Sequence, residues 1–179
     1  MLQDGAWRKL TSIRGTHPHF VPLVQRHVLV DSKIYITSLN ILVLDLLASS
    51  FSIIPHPQGV EYRGIVHTKL SPPDDDSGVY LIHANELQLD IWLHKKDKWS
   101  LLNIICLKHM LANLRMTDPT FENDHTGVVL INQVGNNVEF VFWQMGRSVL
   151  YLDTKCRTLC KVHWAGRDGI LLHIHPFFL

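Results

Sequence analysis

Twelve histidines in 179 residues are the first chemical signal of this chain. His17-x-His19 and His173-x-His175 each set two imidazoles on one side of an extended segment, because side chains alternate along a strand. Two imidazoles make half of a zinc site, which takes three or four ligands, and neither pair has a further ligand at an obligatory local spacing. Cys156-x-x-x-Cys160-x-x-His163 gathers two thiols and an imidazole, but Cys156 falls in a turn and Cys160 in a strand. Buried or incidental thiols are expected there. The acidic run Asp74-Asp75-Asp76 lacks the ordered ligand spacing and the closing bidentate glutamate of a helix-loop-helix calcium site, so it reads as a solvated loop.

Nucleophilic catalysis needs an activated Ser or Cys with a base and an orienting acid. The chain has no Gly-x-Ser-x-Gly elbow, no phosphate-binding glycine loop and no His-Glu-x-x-His helix. Triads are recognised by spatial geometry, and the mere presence of Ser, His and Asp carries no weight. No enzyme, no cofactor and no metal are expected.

Recognition of a partner is the remaining chemistry. Trp92, Trp99, Trp143 and Trp164 belong by default to a core, although exposed indoles are favoured interface anchors. Trp99 lies beside the basic tip Lys95-Lys96-Asp97-Lys98, and the candidate partner-binding set is therefore His94, Lys95, Lys96, Lys98 and Trp99.

Those residues need a scaffold, and composition bounds it. Apolar residues make up 46% of the chain and charged residues 18%, which predicts a packed core. Its length suits one domain. The 17 basic and 16 acidic side chains balance to +1, so no general electrostatic attraction to nucleic acid or membrane is expected. Three cysteines, an odd number, argue against a disulfide framework and for a reducing compartment, cytoplasmic or nuclear. The first residues show no secretory signal. The apolar region from Leu39 to Ile54 is too short and too polar to span a bilayer.

Short β-rich runs separated by turn residues predict an all-β sandwich, barrel or propeller. The expected strands are 33–37, 41–45 and 50–54, then 79–84 and 87–93 about an Asn85-Glu86 turn. Two more, 127–134 and 138–144, flank Gly135-Asn136-Asn137, and a last one covers 149–153. Ile41-Leu42-Val43-Leu44 and Val128-Val129-Leu130-Ile131 are apolar at every position, which requires cover on both faces, as in propeller blades or a central sandwich strand.

An internal repeat separates these alternatives. Ile41 to Asp45 precedes Phe51, Leu89 to Leu93 precedes Trp99, and Val149 to Asp153 precedes Leu159, each by six residues from the end of the run. The expected fold is all-β: antiparallel blade-like sheets forming a partial β-propeller of about three repeat units. One short helical insertion is predicted at 107–116, where Leu107, Met110, Leu111 and Leu114 have helical spacing and Pro119 lies just beyond.

Several segments, in order and spacing, resemble one family. They are Asp4-Gly5-Ala6-Trp7-Arg8, Arg26 to Tyr35, Asp76 to His83, Leu89 to His94, Thr120-Phe121-Glu122, His125-Thr126, Val138 to Phe142 and Leu150 to Asp153. Over nearly the whole chain they are similar to the C-terminal, F-box-associated β-propeller domain of plant F-box proteins of the grass type. The resemblance implies a protein-protein interaction domain over 1–179, the substrate receptor of an SCF-type (cullin-RING) ubiquitin ligase. The partners implied are a protein substrate and, only through an F-box, a Skp1-type adaptor. The helical F-box itself has no counterpart in the chain, which reads as starting inside the propeller, an open arc expected to self-associate. The alternatives are a truncated remnant without a ligase role and a metal-dependent propeller hydrolase.

Overall fold

The computed structural model describes residues 2–3, 6–7, 27–75, 77–118, 121 and 129–164. Leu2–Gln3 (β1) and Ala6–Trp7 (β2) form a short antiparallel pair. All the other described strands belong to three four-stranded antiparallel sheets, each a meander of consecutive strands. The first sheet holds His27–Val30 (β3), Lys33–Thr37 (β4), Ile41–Asp45 (β5) and Ser50–Ile54 (β6). The second holds Thr68–Ser71 (β7), Val79–Asn85 (β8), Gln88–Lys95 (β9) and Lys98–Cys106 (β10). The third holds Leu130–Val134 (β11), Phe140–Met145 (β12), Ser148–Asp153 (β13) and Thr158–Trp164 (β14).

These sheets are blades. Their first strands meet one another, β7 touching both β3 and β11. Their fourth strands β6, β10 and β14 are largely exposed, whereas β7 is almost wholly buried. In the second blade burial therefore falls from the inner strand to the outer, as in the radial sheets of a propeller, whereas the inner strand β3 of the first blade is half exposed.

Two apolar clusters join the blades face to face. Val30, Tyr35, Ile41 and Val43 of the first blade pack on Leu70, Val79 and Leu81 of the second. On the second blade's other side, Ile82, Leu89, Ile91 and Ile105 meet Ile131, Val141, Trp143, Leu150 and Leu152 of the third. One α-helix, Leu107–Thr117 (α1), leaves β10 without a loop and buries Leu107, Leu111 and Leu114 in the same cluster. It has no side-chain N-cap; the Leu107 N–H donates instead to the Leu87 carbonyl at 2.8 Å.

The repeated segments are the third strands of the three blades, β5, β9 and β13. Asp45 and Asp153 each open a four-residue turn that ends on a left-handed residue, Ser49 (φ 50°) and Arg157 (φ 54°). The Asp45 carboxylate accepts the N–H groups of Leu47 and Ala48 at 3.0 and 2.7 Å, and that of Asp153 accepts Cys156 N–H at 2.7 Å. A short acidic side chain at this point satisfies the turn's free donors. In the second blade the counterpart of Asp45 is Lys95, two residues beyond Leu93, because its turn has only two residues, Lys96 and Asp97. Both have positive φ, 51° and 59°, as a type I′ hairpin requires.

Three expected boundaries move. The β8–β9 turn falls on Glu86-Leu87, since Asn85 pairs with Gln88. The strand expected from 127 begins at Leu130, with 127–128 outside the described residues. The strand expected from 138 begins at Phe140, because Asn136–Val138 form a 3₁₀ turn. Asn137 ties this turn to the second blade: its N–H donates to the Pro72 carbonyl at 3.0 Å, its amide oxygen accepts the Asp74 N–H at 2.9 Å, and its amide group donates to the Asp74 carboxylate. Val138 is held at φ 54° with its side chain buried, so burial offsets an uncomfortable backbone. The antiparallel pairing of β11 with β12 forms as expected, and its connection serves in addition as an anchor between blades.

Candidate functional site: a cleft between the first two blades

A cleft of about 500 Å³ opens between the first and second blades. Two type I′ hairpin tips flank it, Asp31-Ser32 (φ 44° and 60°) joining β3 to β4, and Lys96-Asp97 joining β9 to β10. Lys33 and Tyr35 line it from the first blade, Ser77, Gly78, His94 and Lys95 from the second. The tips project because two-residue turns leave their side chains no neighbouring strand to cover them.

Tyr35 forms part of the floor. Burial raises its pKa, and the carboxylates of Asp31, Asp45 and Asp97 raise it further, so the phenol remains a hydrogen-bond donor throughout the neutral range. Lys33 lies 3.8 Å from Asp45. At the other wall, Lys95 donates to Ser77 Oγ at 2.7 Å and sits 3.6 Å from Asp75. Hydrogen bonds from the Ser77 side chain and backbone, with Lys95 adding to them, hold the Asp75 carboxyl below the usual range. Lys96, Asp97 and Lys98 are exposed.

His94 is 8% exposed and its ring centroid lies 4.8 Å from that of Trp99. Trp99 donates its indole N–H to the Pro55 carbonyl at 2.8 Å and packs against the first apolar cluster. The indole thus fastens the irregular segment that follows β6 onto β10. It positions the cleft wall and His94 rather than projecting as an anchor.

The structure therefore brings His94, Lys95 and Lys96 of the expected set into one cleft and puts Lys98 at its rim and Trp99 behind it. Asp31, Lys33, Tyr35, Ser77, Gly78 and Asp97 also line it, with Val43 and the end of β6, and were absent from that set. Their signal was local: Asp31-Ser32 and Ser77-Gly78 lie inside segments that carry the family resemblance.

The other expected centres do not converge. His17, His19, His173 and His175 lie outside the described residues, as does Asp76. Cys156 sits in a turn and Cys160 on β14, both exposed, which makes them incidental rather than buried thiols. Asp74 and Asp75 hold Asn137 and Ser77, so this acidic loop stitches the structure together. No group of three or more His, Cys, Asp or Glu suited to a metal occurs among the described residues. Trp143 is fully buried in the second cluster, and Trp164 is 37% exposed with Lys161 Nζ 4.8 Å above its ring. Among the described residues no helix is long and apolar enough to cross a membrane.

Burial lowers the pKa of His94 against the opposing pull of Asp97. At His83, burial is again the main cause, opposed by Asp90 and aided by His67, Arg63 and His56. The unfolded chain takes up protons at the ordinary 6.5, the folded chain only at lower pH. The two histidines therefore contribute stability above about pH 6.5 that is lost as pH falls through their depressed values. Urea melts between about pH 7.5 and 5 are expected to show falling midpoints, with a shallower fall in a His83→Gln/His94→Gln variant; equal slopes would refute the assignment.

A family model described as the β-propeller of F-box protein AT5G49610-like matches residues 1–179. No curated protein matches the chain. Among solved structures, a protein from Lactobacillus plantarum aligns with a TM-score of 0.43 at 11% identity, over 80% of this chain and 41% of that one. This chain thus spans less than half the length of that protein.

Proposed function

We propose, on the premise that this chain belongs to the family of AT5G49610-like F-box protein β-propellers, that it works by holding another protein in the cleft between its first two blades. The observation that carries this reading is the family match over residues 1–179. The cleft adds a location. Its two hairpin tips and the strands beside them carry charge of both signs, Asp31 and Asp97 with Lys33, Lys95 and Lys96, while Tyr35 and His94 offer polar atoms from a mostly polar lining. Rigid hairpins with mixed charge suit an extended polypeptide, which has its own donors and acceptors to satisfy, more than a small apolar ligand.

In the finer form of the proposal, the bound protein is the substrate of an SCF-type ligase, and delivery depends on an F-box that contacts a Skp1-type adaptor. The 179-residue chain alone is then expected to leave the adaptor unbound, and a fusion carrying an F-box to bind it. Equal adaptor binding by chain and fusion would end this division of labour.

The cleft is tested by reversing its exposed charge. Lys96→Glu/Lys98→Glu lies on a solvated tip, where surface changes alter stability by at most about 0.5 kcal/mol. Quantitative affinity purification from cell extract is expected to show a set of proteins retained by the parent chain and lost, by tenfold or more, from the variant. Identical sets would remove the cleft from the proposal.

A further inference from the structure

The blades share an internal code that extends to both ends of the arc. On each second strand an aromatic residue faces the blade that follows. Tyr35 (β4) packs into the cluster between the first and second blades, and Tyr80 (β8) packs against the cluster between the second and third. The third occupant of this place is Phe142 (β12), whose partner across the ladder is Tyr151, as Val43 is for Tyr35 and Leu93 for Tyr80. On each fourth strand a bulky residue faces the blade that precedes. Trp99 packs against the first cluster and Leu159 against the second. The remaining occupant is Phe51, which is 58% exposed.

The two end faces therefore have the residues of blade interfaces. On the first blade, Leu29, Ile34, Leu44 and Phe51 form one cross-strand row and Ile36, Leu42 and Ile53 the next, all on the side away from the second blade. Leu29 and Ile53 are 60% and 57% exposed. A solvated antiparallel face alternates to polar residues, and this one does not. At the other end Phe140, Phe142 and Tyr151 cluster with ring centroids 5.3–5.9 Å apart. Alternation puts them opposite Val141, Trp143, Leu150 and Leu152, which fill the second cluster.

We propose that two copies of the chain join head to tail, the third blade's Phe140-Phe142-Tyr151 face of each packing on the first blade's Leu44-Phe51 face of the other. The contact repeats the relation that the chain uses twice within itself. Its two occurrences in a dimer join the three blades described in each copy into a ring of six, inside the ~4–8 of closed propellers. This pairing goes beyond the proposed function and does not depend on it.

Light scattering coupled to size-exclusion chromatography tests it, with melting curves to confirm folding. The parent chain is expected to have twice the monomer mass, and Leu44→Asp and Tyr151→Asp each to be monomeric. Mixed in equal amounts, the two variants are expected to recover a dimer, since one intact contact joins the unaltered face of each; Phe51→Asp replaces Leu44→Asp if the latter does not fold. A monomeric parent overturns the proposal, as do a Tyr151→Asp variant that stays dimeric, which would mean pairing of like faces, folded variants that do not associate on mixing, and open-ended growth with concentration.

Discussion

Trp143→Ala is expected to lower the free energy of unfolding by about 3–5 kcal/mol, the range for deleting a buried aromatic side chain. Trp143 is wholly buried on β12, where the third blade meets the second, and it faces Leu150 across the ladder. Removing it leaves a cavity in a cluster that neighbouring strands fix on both sides. Its indole N–H has no hydrogen-bond partner among the described residues, a cost already present in the folded state. Trp143→Phe removes that donor along with part of the ring, and its loss should be much smaller, about 1–2 kcal/mol. Urea denaturation of the two variants checks the pair. Equal losses would mean that the N–H is satisfied in solution.

Gly78→Ala has a comparable effect from a different cause. A Cβ at Gly78 would lie 2.2 Å from the His94 carbonyl oxygen and 3.3 Å from its carbon. Backbone, unlike the end of a side chain, has little room to yield. The expected response is a separation of β8 from β9 at the Val79–His94 pair, costing about 3 kcal/mol as overpacking does. The same movement shifts His94 and Lys95, so the variant is also expected to lose the proteins retained through the cleft. Thermal melts give the first effect and affinity purification the second. A variant that melts like the parent would show that the strands part freely here.

The contrast between legible and hidden elements follows from how each is stabilised. The third strands β5 and β13 were visible because a continuous apolar run ends in an aspartate that serves its own turn. Helix α1 was visible because its leucines repeat at helical spacing against one cluster. Strand β7, Thr68-Lys69-Leu70-Ser71, was not. It is an inner strand whose buried polar side chains are satisfied by hydrogen bonds, Thr68 with His83 Nδ1 at 3.2 Å and Ser71 donating to the Gly135 carbonyl at 2.7 Å. Hydropathy cannot see a strand buried through its hydroxyls. The aromatic series Tyr35, Tyr80 and Phe142 was equally hidden, since only the register of each blade makes the three equivalent. The cleft was half legible. Its basic tip is contiguous in sequence, whereas Asp31 and Tyr35 arrive from another blade through tertiary packing.

Each blade is one unbroken stretch of chain, so it can open without unthreading its neighbours. The seam between the first and second blades is closed by the smaller of the two apolar clusters. Opening of β3 to β6 as a unit is then the lowest sub-global unfolding step, visible as amide hydrogen exchange that is faster and more uniform there than in β11 to β14. A polypeptide seated in the cleft spans that weak seam. Occupancy would slow exchange throughout β3 to β6, including at amides far from any contact, and would make the ligand a latch on the movable blade.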